Sequence, residues 1–162
     1  MWPSNTSGAN AATLFETTTN LQDFYGLGFA DAVSSYAQGN LMMPSDYDGG
    51  TVTASFVWTL GTAATAGTGA VTWGLQWNQY SSGENIDAAW GTGQEVTQNY
   101  QSAATAAFIM ISSATSAITT GGATGAASQP AFFRTYRRGA ATADTQTSVA
   151  QLIGVMVNYT RV

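Results

Sequence analysis

Two stretches of strict alternation constrain this chain more than anything else in it. Along residues 51–60, Val52, Ala54, Phe56, Trp58 and Leu60 fall on one side, while Thr51, Thr53, Ser55 and Thr59 fall on the other. Residues 70–80 repeat the pattern, with Val71, Trp73, Leu75 and Trp77 against Thr72, Gly74, Gln76 and Asn78. A strand turns successive side chains to opposite faces, so period two among β-branched and aromatic residues specifies a half-buried β-strand. The segment between them, 61–69, contains only Gly, Ala and Thr. The two strands are therefore expected to form a hairpin.

Weaker signals extend the pattern. Strands are expected at 25–30 and 33–43, divided near Asp31, and at 94–100 after a turn at Ser81-Ser82-Gly83. Residues 86–90 read as one helical turn. In 106–118, Ile109, Ile111 and Thr115 favour a strand over a helix. A second glycine-rich loop, 119–129, leads to Pro130 and a strand at 131–138. Val149, Gln151, Ile153, Val155, Val157 and Tyr159 alternate through the last segment.

About eight strands separated by turn signals, with no long segment of helical period, predict an all-β fold. The unequal loops favour an antiparallel β-sandwich of jelly-roll type. Val52, Phe56, Trp58, Leu60, Val71, Trp73, Leu75, Trp77, Ile153, Val155 and Val157 are its expected core. Residues 1–22 lack periodicity and read as an extended N-terminal arm ahead of a sandwich domain at 23–162. Trp2, Leu14 and Phe15 are the arm's apolar anchors, placed to contact a neighbouring subunit.

Composition narrows the function. Of 162 residues only 8% are charged, against about 25% in an average domain. There is no cysteine, histidine or lysine. Missing histidine and cysteine remove the Ser–His–Asp triad, the thiol nucleophile and most transition-metal sites. Net charge −5 with four arginines argues against nucleic acid, whose phosphates demand several cations. No apolar run approaches the 18 or more residues of a membrane helix. The N-terminus shows no basic region followed by an apolar stretch, so no signal peptide is expected. An uncharged surface points instead to a protein that works by contact.

Two acidic clusters invite a chemical reading. Glu84 and Asp87 lie near Trp90, and paired carboxylates beside an aromatic are the tools of a glycosidase; a single pair in one loop reads better as a solvated turn. Asp46-Tyr47-Asp48-Gly49-Gly50 alternates acids ahead of a glycine, as a calcium loop begins. The later ligands and closing Glu are missing, so a tight turn is expected. The expectation is no catalytic residue, no metal and no cofactor. Arg134, Tyr136 and Arg138 share one strand face and, with the arm anchors, are the candidate subunit-interface residues. Neither glycine-rich loop carries the lysine and helix of a phosphate-binding loop.

Several runs also resemble a family of small structural proteins of tailed bacteriophages. They are Met43-Pro44-Ser45-Asp46-Tyr47-Asp48-Gly49-Gly50-Thr51-Val52-Thr53 leading to Phe56 and Trp58, Val71-Thr72-Trp73-Gly74-Leu75, and Trp90-Gly91-Thr92-Gly93-Gln94-Glu95-Val96-Thr97. Phe133-Arg134-Thr135-Tyr136-Arg137-Arg138 and Leu152-Ile153-Gly154-Val155-Met156-Val157-Asn158-Tyr159 complete the set. The likeness covers roughly residues 40–162, in order, and rests on strand-and-turn patterns. It implies a non-enzymatic jelly-roll protein of the virion, assembled in the host cytoplasm. The reading drawn from it is a capsid decoration (cement) protein, a homotrimer bound to the major capsid protein or other virion subunits. The alternative is a carbohydrate- or receptor-binding module of the tail, fibre or head, with exposed Trp and Tyr stacking on a glycan.

Overall fold

The structure, a computed structural model, describes residues 1–5, 7–17, 20–60, 69–101, 108–122 and 125–162. Strands account for its regular structure: β1 (Trp2–Pro3), β2 (Ala12–Glu16), β3 (Asp23–Phe29), β4 (Ser34–Met42), β5 (Tyr47–Thr59), β6 (Ala70–Gln79), β7 (Gln94–Asn99), β8 (Met110–Ile111), β9 (Gly121–Gly122), β10 (Pro130–Arg138) and β11 (Ala150–Arg161). They form two antiparallel sheets, a first in the order β1-β4-β10-β6-β7 and a second in the order β2-β3-β11-β5-β8. The short β9 adds to β6 in parallel.

The pairing identifies the topology. Set aside β1, β2 and β9, and the first remaining strand pairs with the last (β3 with β11). The second pairs with the second-last (β4 with β10), the third with the third-last (β5 with β8), and the middle two with each other (β6 with β7). A hairpin folded over on itself into two sheets has this order, and it is the jelly roll expected from the sequence.

The expected hairpin between the two alternating strands does not form. β5 lies in the second sheet between β11 and β8, and β6 lies in the first between β10 and β7. Alternation specifies which face of a strand is buried, not which strand completes its ladder. The loop assigned to that hairpin, 61–69, falls outside the described residues except for Gly69.

The two inward faces meet as predicted. Phe56, Trp58, Val71, Trp73 and Leu75 have no exposed surface, and Val52 and Trp77 have 1%. Trp73 is the hub, with its ring 5.1 Å from Phe29, 5.9 Å from Phe56 and 6.1 Å from Trp58. The last strand departs from expectation. Ile153 has no cross-strand partner between the Leu152–Trp58 and Gly154–Val57 pairs. This bulge reverses the phase of the alternation. Ala150 and Leu152 are buried ahead of it, while Val155 and Val157 pack on the core after it. Val149 and Gln151 therefore do not share the core face with Val155 and Val157.

Three further expectations are corrected. Residues 86–90 are irregular, with no helical turn. The 119–129 loop contains β9. In 106–118, where 106 and 107 lie outside the described residues, only Met110–Ile111 is strand. Beyond it the amides of Ser112 and Thr115 still donate to Phe56 O and Ala54 O, while their hydroxyls stand in for carbonyl acceptors: Ser112 Oγ accepts from Phe56 N at 2.9 Å and Thr115 Oγ1 from Ala54 N at 3.1 Å. Ser and Thr side chains compete with backbone partners in this way, and they leave β5 satisfied without a long strand beside it.

The N-terminal segment is extended, and it lies on the sandwich itself. β1 pairs with β4, Ala9 N donates to Tyr36 O, Asn10 N donates to Gly28 O, and β2 pairs with β3. One short run of chain thus covers an edge of each sheet, where unpaired N–H and C=O groups would otherwise be open to other strands.

Candidate functional site

The outer face of the first sheet brings charge and aromatic rings together. Register sets it out in rows. Tyr36, Tyr136, Gly74 and Glu95 are aligned across β4, β10, β6 and β7. The next row is Trp2, Gln38, Arg134 and Gln76, and the one after is Asn40, Phe132 and Asn78. Successive rows are two residues apart, about 6.7 Å along the strands.

Glycine shapes the first row. A Cβ on Gly74 would stand 2.3 Å from the Tyr136 ring, so the absence of a side chain lets that ring lie down across β6. Tyr136 then donates its hydroxyl to Glu95 at 3.1 Å. Glu95 also pairs with Arg138 at 3.0 Å. Burial of the ring, and after it the Glu95 charge, push Tyr136 ionisation well above its ordinary 10.0. The hydroxyl stays a donor across the physiological range.

A loop folded back over the sheet completes the site. Asn78 Nδ2 donates to Ala89 O at 3.1 Å, Gly91 N donates to Asn78 Oδ1 at 3.0 Å, and Tyr80 donates to Ile86 O at 3.1 Å. These bonds hold Trp90 over Arg134, whose guanidinium carbon lies 5.3 Å from the Trp90 ring and 4.7 Å from that of Tyr36. Gln76 Oε1 accepts from Arg134 Nε at 2.8 Å and also from Nη2. The nominally outward Asn78 is accordingly buried, and Thr72 is buried beside Thr97 and Asp144, where alternation alone predicts exposure.

Arg137 points the other way, into the sandwich, and is fully buried. Its Nε donates to Asp144 Oδ2 at 3.0 Å and its Nη2 to Oδ1 at 2.8 Å, while the carbonyls of Phe29, Ser148 and Gln146 accept the rest. This arginine ties β10 to β3 and to the chain entering β11. Its role is architectural.

The six interface residues expected from sequence do not form one surface. Trp2, Arg134, Tyr136 and Arg138 belong to the outer face of the first sheet. Leu14 lies half-exposed on β2, and Phe15 stacks on Phe24 at 5.2 Å on the second sheet. Sequence reasoning missed Tyr36, Gln38, Gln76 and Glu95, which become neighbours of Arg134 only through strand order; Phe132 is its same-face neighbour on β10. In sequence, Trp90 stands beside Glu84 and Asp87 and opens the 90–97 run, with nothing to link it to Arg134. Glu84 accepts from Ser81 N within its own turn and Asp87 is exposed. Asp48 Oδ1 accepts from Gly50 N at 2.8 Å beside Gly49, whose φ is +80°. Asp46 binds Arg161 at 3.2 Å and accepts from Tyr159 at 3.1 Å. Asp48 closes its own turn, and Asp46 ties that turn to the end of β11.

The opposite side of the molecule is different in character. On the outer face of the second sheet the register aligns Thr13, Phe15, Phe24, Gln151, Met156, Asn158, Thr53, Ser55, Val57 and Ile111. No charged residue stands among these paired outward positions. Ile109 (58% exposed), Ile111 (55%) and Met156 (43%) are apolar and open to solvent there.

No family model, curated protein or solved structure matches the chain.

Proposed function

We propose that the chain is a non-enzymatic virion structural protein, a decoration protein of a tailed-phage head. It attaches through the outer face of its second sheet and assembles as a homo-oligomer. The observation that carries this reading is the absence of charge among the paired outward positions of that face, where Ile111 and Met156 stand open to solvent; Asp23 lines a hollow beside Ile109 at its margin. Large apolar side chains left open on one sheet face mark a contact site. A face without charge is held by packing and hydrogen bonds and is insensitive to the screening that weakens ionic contacts beyond about 8 Å at physiological salt. The jelly roll gives such a face a rigid, pre-formed backing, which limits the ordering cost of association. The sequence runs that resemble phage structural proteins fall on β5, β6, β10 and β11 and on the turns entering β5 and β7, the framework of both sheets.

The test is co-sedimentation of the purified chain with particles that lack it. Ile111→Glu and Met156→Glu place a carboxylate in the face, and each is expected to abolish loading while leaving the melting temperature within a few degrees. Raising salt from about 0.1 to about 0.5 M is expected to change loading little. Full loading by both variants, or release of the wild-type chain by salt, would refute this reading.

A further inference from the structure

Three of the four arginines have a carboxylate partner: Arg137 with Asp144 at 2.8 Å, Arg138 with Glu95 at 3.0 Å and Arg161 with Asp46 at 3.2 Å. Arg134 has none among the described residues. The chain has nine acidic residues for four arginines, so an unpaired cation here is not forced by composition. Gln76 takes Nε and Nη2 through one neutral oxygen, leaving Nη1 free for a ligand. The rings of Tyr36 and Trp90 both lie against the group, at 4.7 and 5.3 Å from its central carbon. A guanidinium fixed in plane presents its donors in the geometry a carboxylate accepts.

Two hollows adjoin it. One, of about 200 Å³, is lined by Ser34, Tyr36, Gln76, Glu95, Arg134, Tyr136 and Arg138. The other, of about 270 Å³, lies beyond Trp90 and is walled by Trp90, Phe132, Tyr80 and Ile86, with Gln38 and Asp87 at its polar margin. Both are smaller than the roughly 300–1,000 Å³ of an enclosed small-molecule pocket. Side by side on a flat sheet, they suit a ligand of linked units that lies across the surface.

We infer that this face binds a carboxylate-bearing oligosaccharide, with one acidic sugar against Arg134 and a neighbouring sugar ring against Trp90 and Phe132. The first hollow holds two arginines and one carboxylate, and Glu95 is already engaged by Arg138 and Tyr136, so the local balance is one positive charge. Amide and hydroxyl groups from Gln38, Ser34 and Tyr136 complement sugar hydroxyls, and the aromatic walls complement the apolar faces of a pyranose. Glu95 and Asp87, one in each hollow, disfavour a polyanion as densely charged as nucleic acid. The site does not rest on the docking reading: it lies on the opposite outer face of the sandwich and stays open when the second sheet is covered.

The experiment is titration of the intact protein with tri- and tetrasaccharides in which one galacturonate, glucuronate or N-acetylneuraminate is joined to neutral sugars, followed by Trp fluorescence and calorimetry. Neutral galactose oligomers, acetate and a short peptide with a free C-terminus serve as comparators. At least one acidic oligosaccharide is expected to bind saturably and to perturb Trp fluorescence. Loss of one charge-assisted hydrogen-bonding group corresponds to roughly tenfold to a hundredfold in affinity, the weakening expected for Arg134→Gln. Trp90→Ala is expected to weaken the oligosaccharide while leaving acetate unaffected. Unchanged melting temperatures distinguish these losses from unfolding. Absence of saturable binding by every acidic oligosaccharide would overturn the inference. Equal binding of the neutral oligomers with Arg134→Gln silent would overturn it too, as would acetate or the peptide competing at equal affinity. None of these outcomes bears on loading of the particle, which is read separately by the Ile111→Glu and Met156→Glu variants.

Discussion

Replacing Asp144 with alanine is expected to be among the most damaging single substitutions outside the aromatic core. The carboxylate takes two bonds from the fully buried Arg137 and a third from Thr72 N at 3.0 Å. Asp144→Ala removes all three and leaves a guanidinium buried with only carbonyl partners. Breaking a buried pair by removing one partner costs about 3–5 kcal/mol. Set against a typical domain stability of about 5–15 kcal/mol, that is a large fraction. For a chain of this size it corresponds to a fall in Tm of roughly 6–20 °C. Asp144→Asn retains an acceptor and is expected to cost less. Urea unfolding of Asp144→Ala, Arg137→Met and the double variant measures the coupling. The double variant is expected to lose less than the sum of the singles, because the same contacts are removed once. A loss under about 1 kcal/mol for Asp144→Ala, or strict additivity, would refute the argument that this pair closes the end of the sandwich.

Trp73→Ala empties the hub of the aromatic cluster and is expected to cost about 3–5 kcal/mol by denaturant unfolding; a loss below about 1 kcal/mol would show that the two sheets do not meet at this ring. Because folding raises the Tyr136 ionisation above its ordinary 10.0, the stabilisation from its neutral form is complete below that pH. It is lost as pH rises above it. In a spectrophotometric titration Tyr136 is therefore expected to ionise after the exposed tyrosines, and Tyr136→Phe removes the latest phase; an unchanged latest phase would contradict this. Deleting residues 1–17 uncovers the β3 and β4 edges, and the truncated chain is expected to fold and then self-associate, as light scattering would detect. A monomeric truncated chain would mean that those edges need no cover.

The central architecture was legible in sequence because burial writes itself as alternation. The faces of β5 and β6 were read correctly from Val52–Leu60 and Val71–Trp77. Strand pairing was not legible, since a strand's pattern is the same whichever neighbour supplies its hydrogen bonds, and the supposed β5–β6 hairpin failed for that reason. Ile153 shows a second limit. A bulge adds one residue without changing composition, so the run from Val149 to Tyr159 looked continuous while its phase reversed. The 106–118 segment shows a third, because the Ser112 and Thr115 hydroxyls take the acceptor role that backbone carbonyls would have in a strand. As for the site, the shared face of Arg134, Tyr136 and Arg138 was visible from spacing. Tyr36, Gln76 and Glu95 come from three other strands, and no local signal links them to β10. The clue that existed was Gly74, a residue without a side chain in the middle of an otherwise bulky strand.

A cryo-electron microscopy map of the intact particle, with the chain's copies counted, tests the proposed function most directly. The account predicts density on the head in numbers tied to the shell lattice, with Ile111 and Met156 turned toward the shell and Trp90 turned outward. A chain absent from the particle, confined to a few copies on the tail, or attached through the Arg134 face would contradict it.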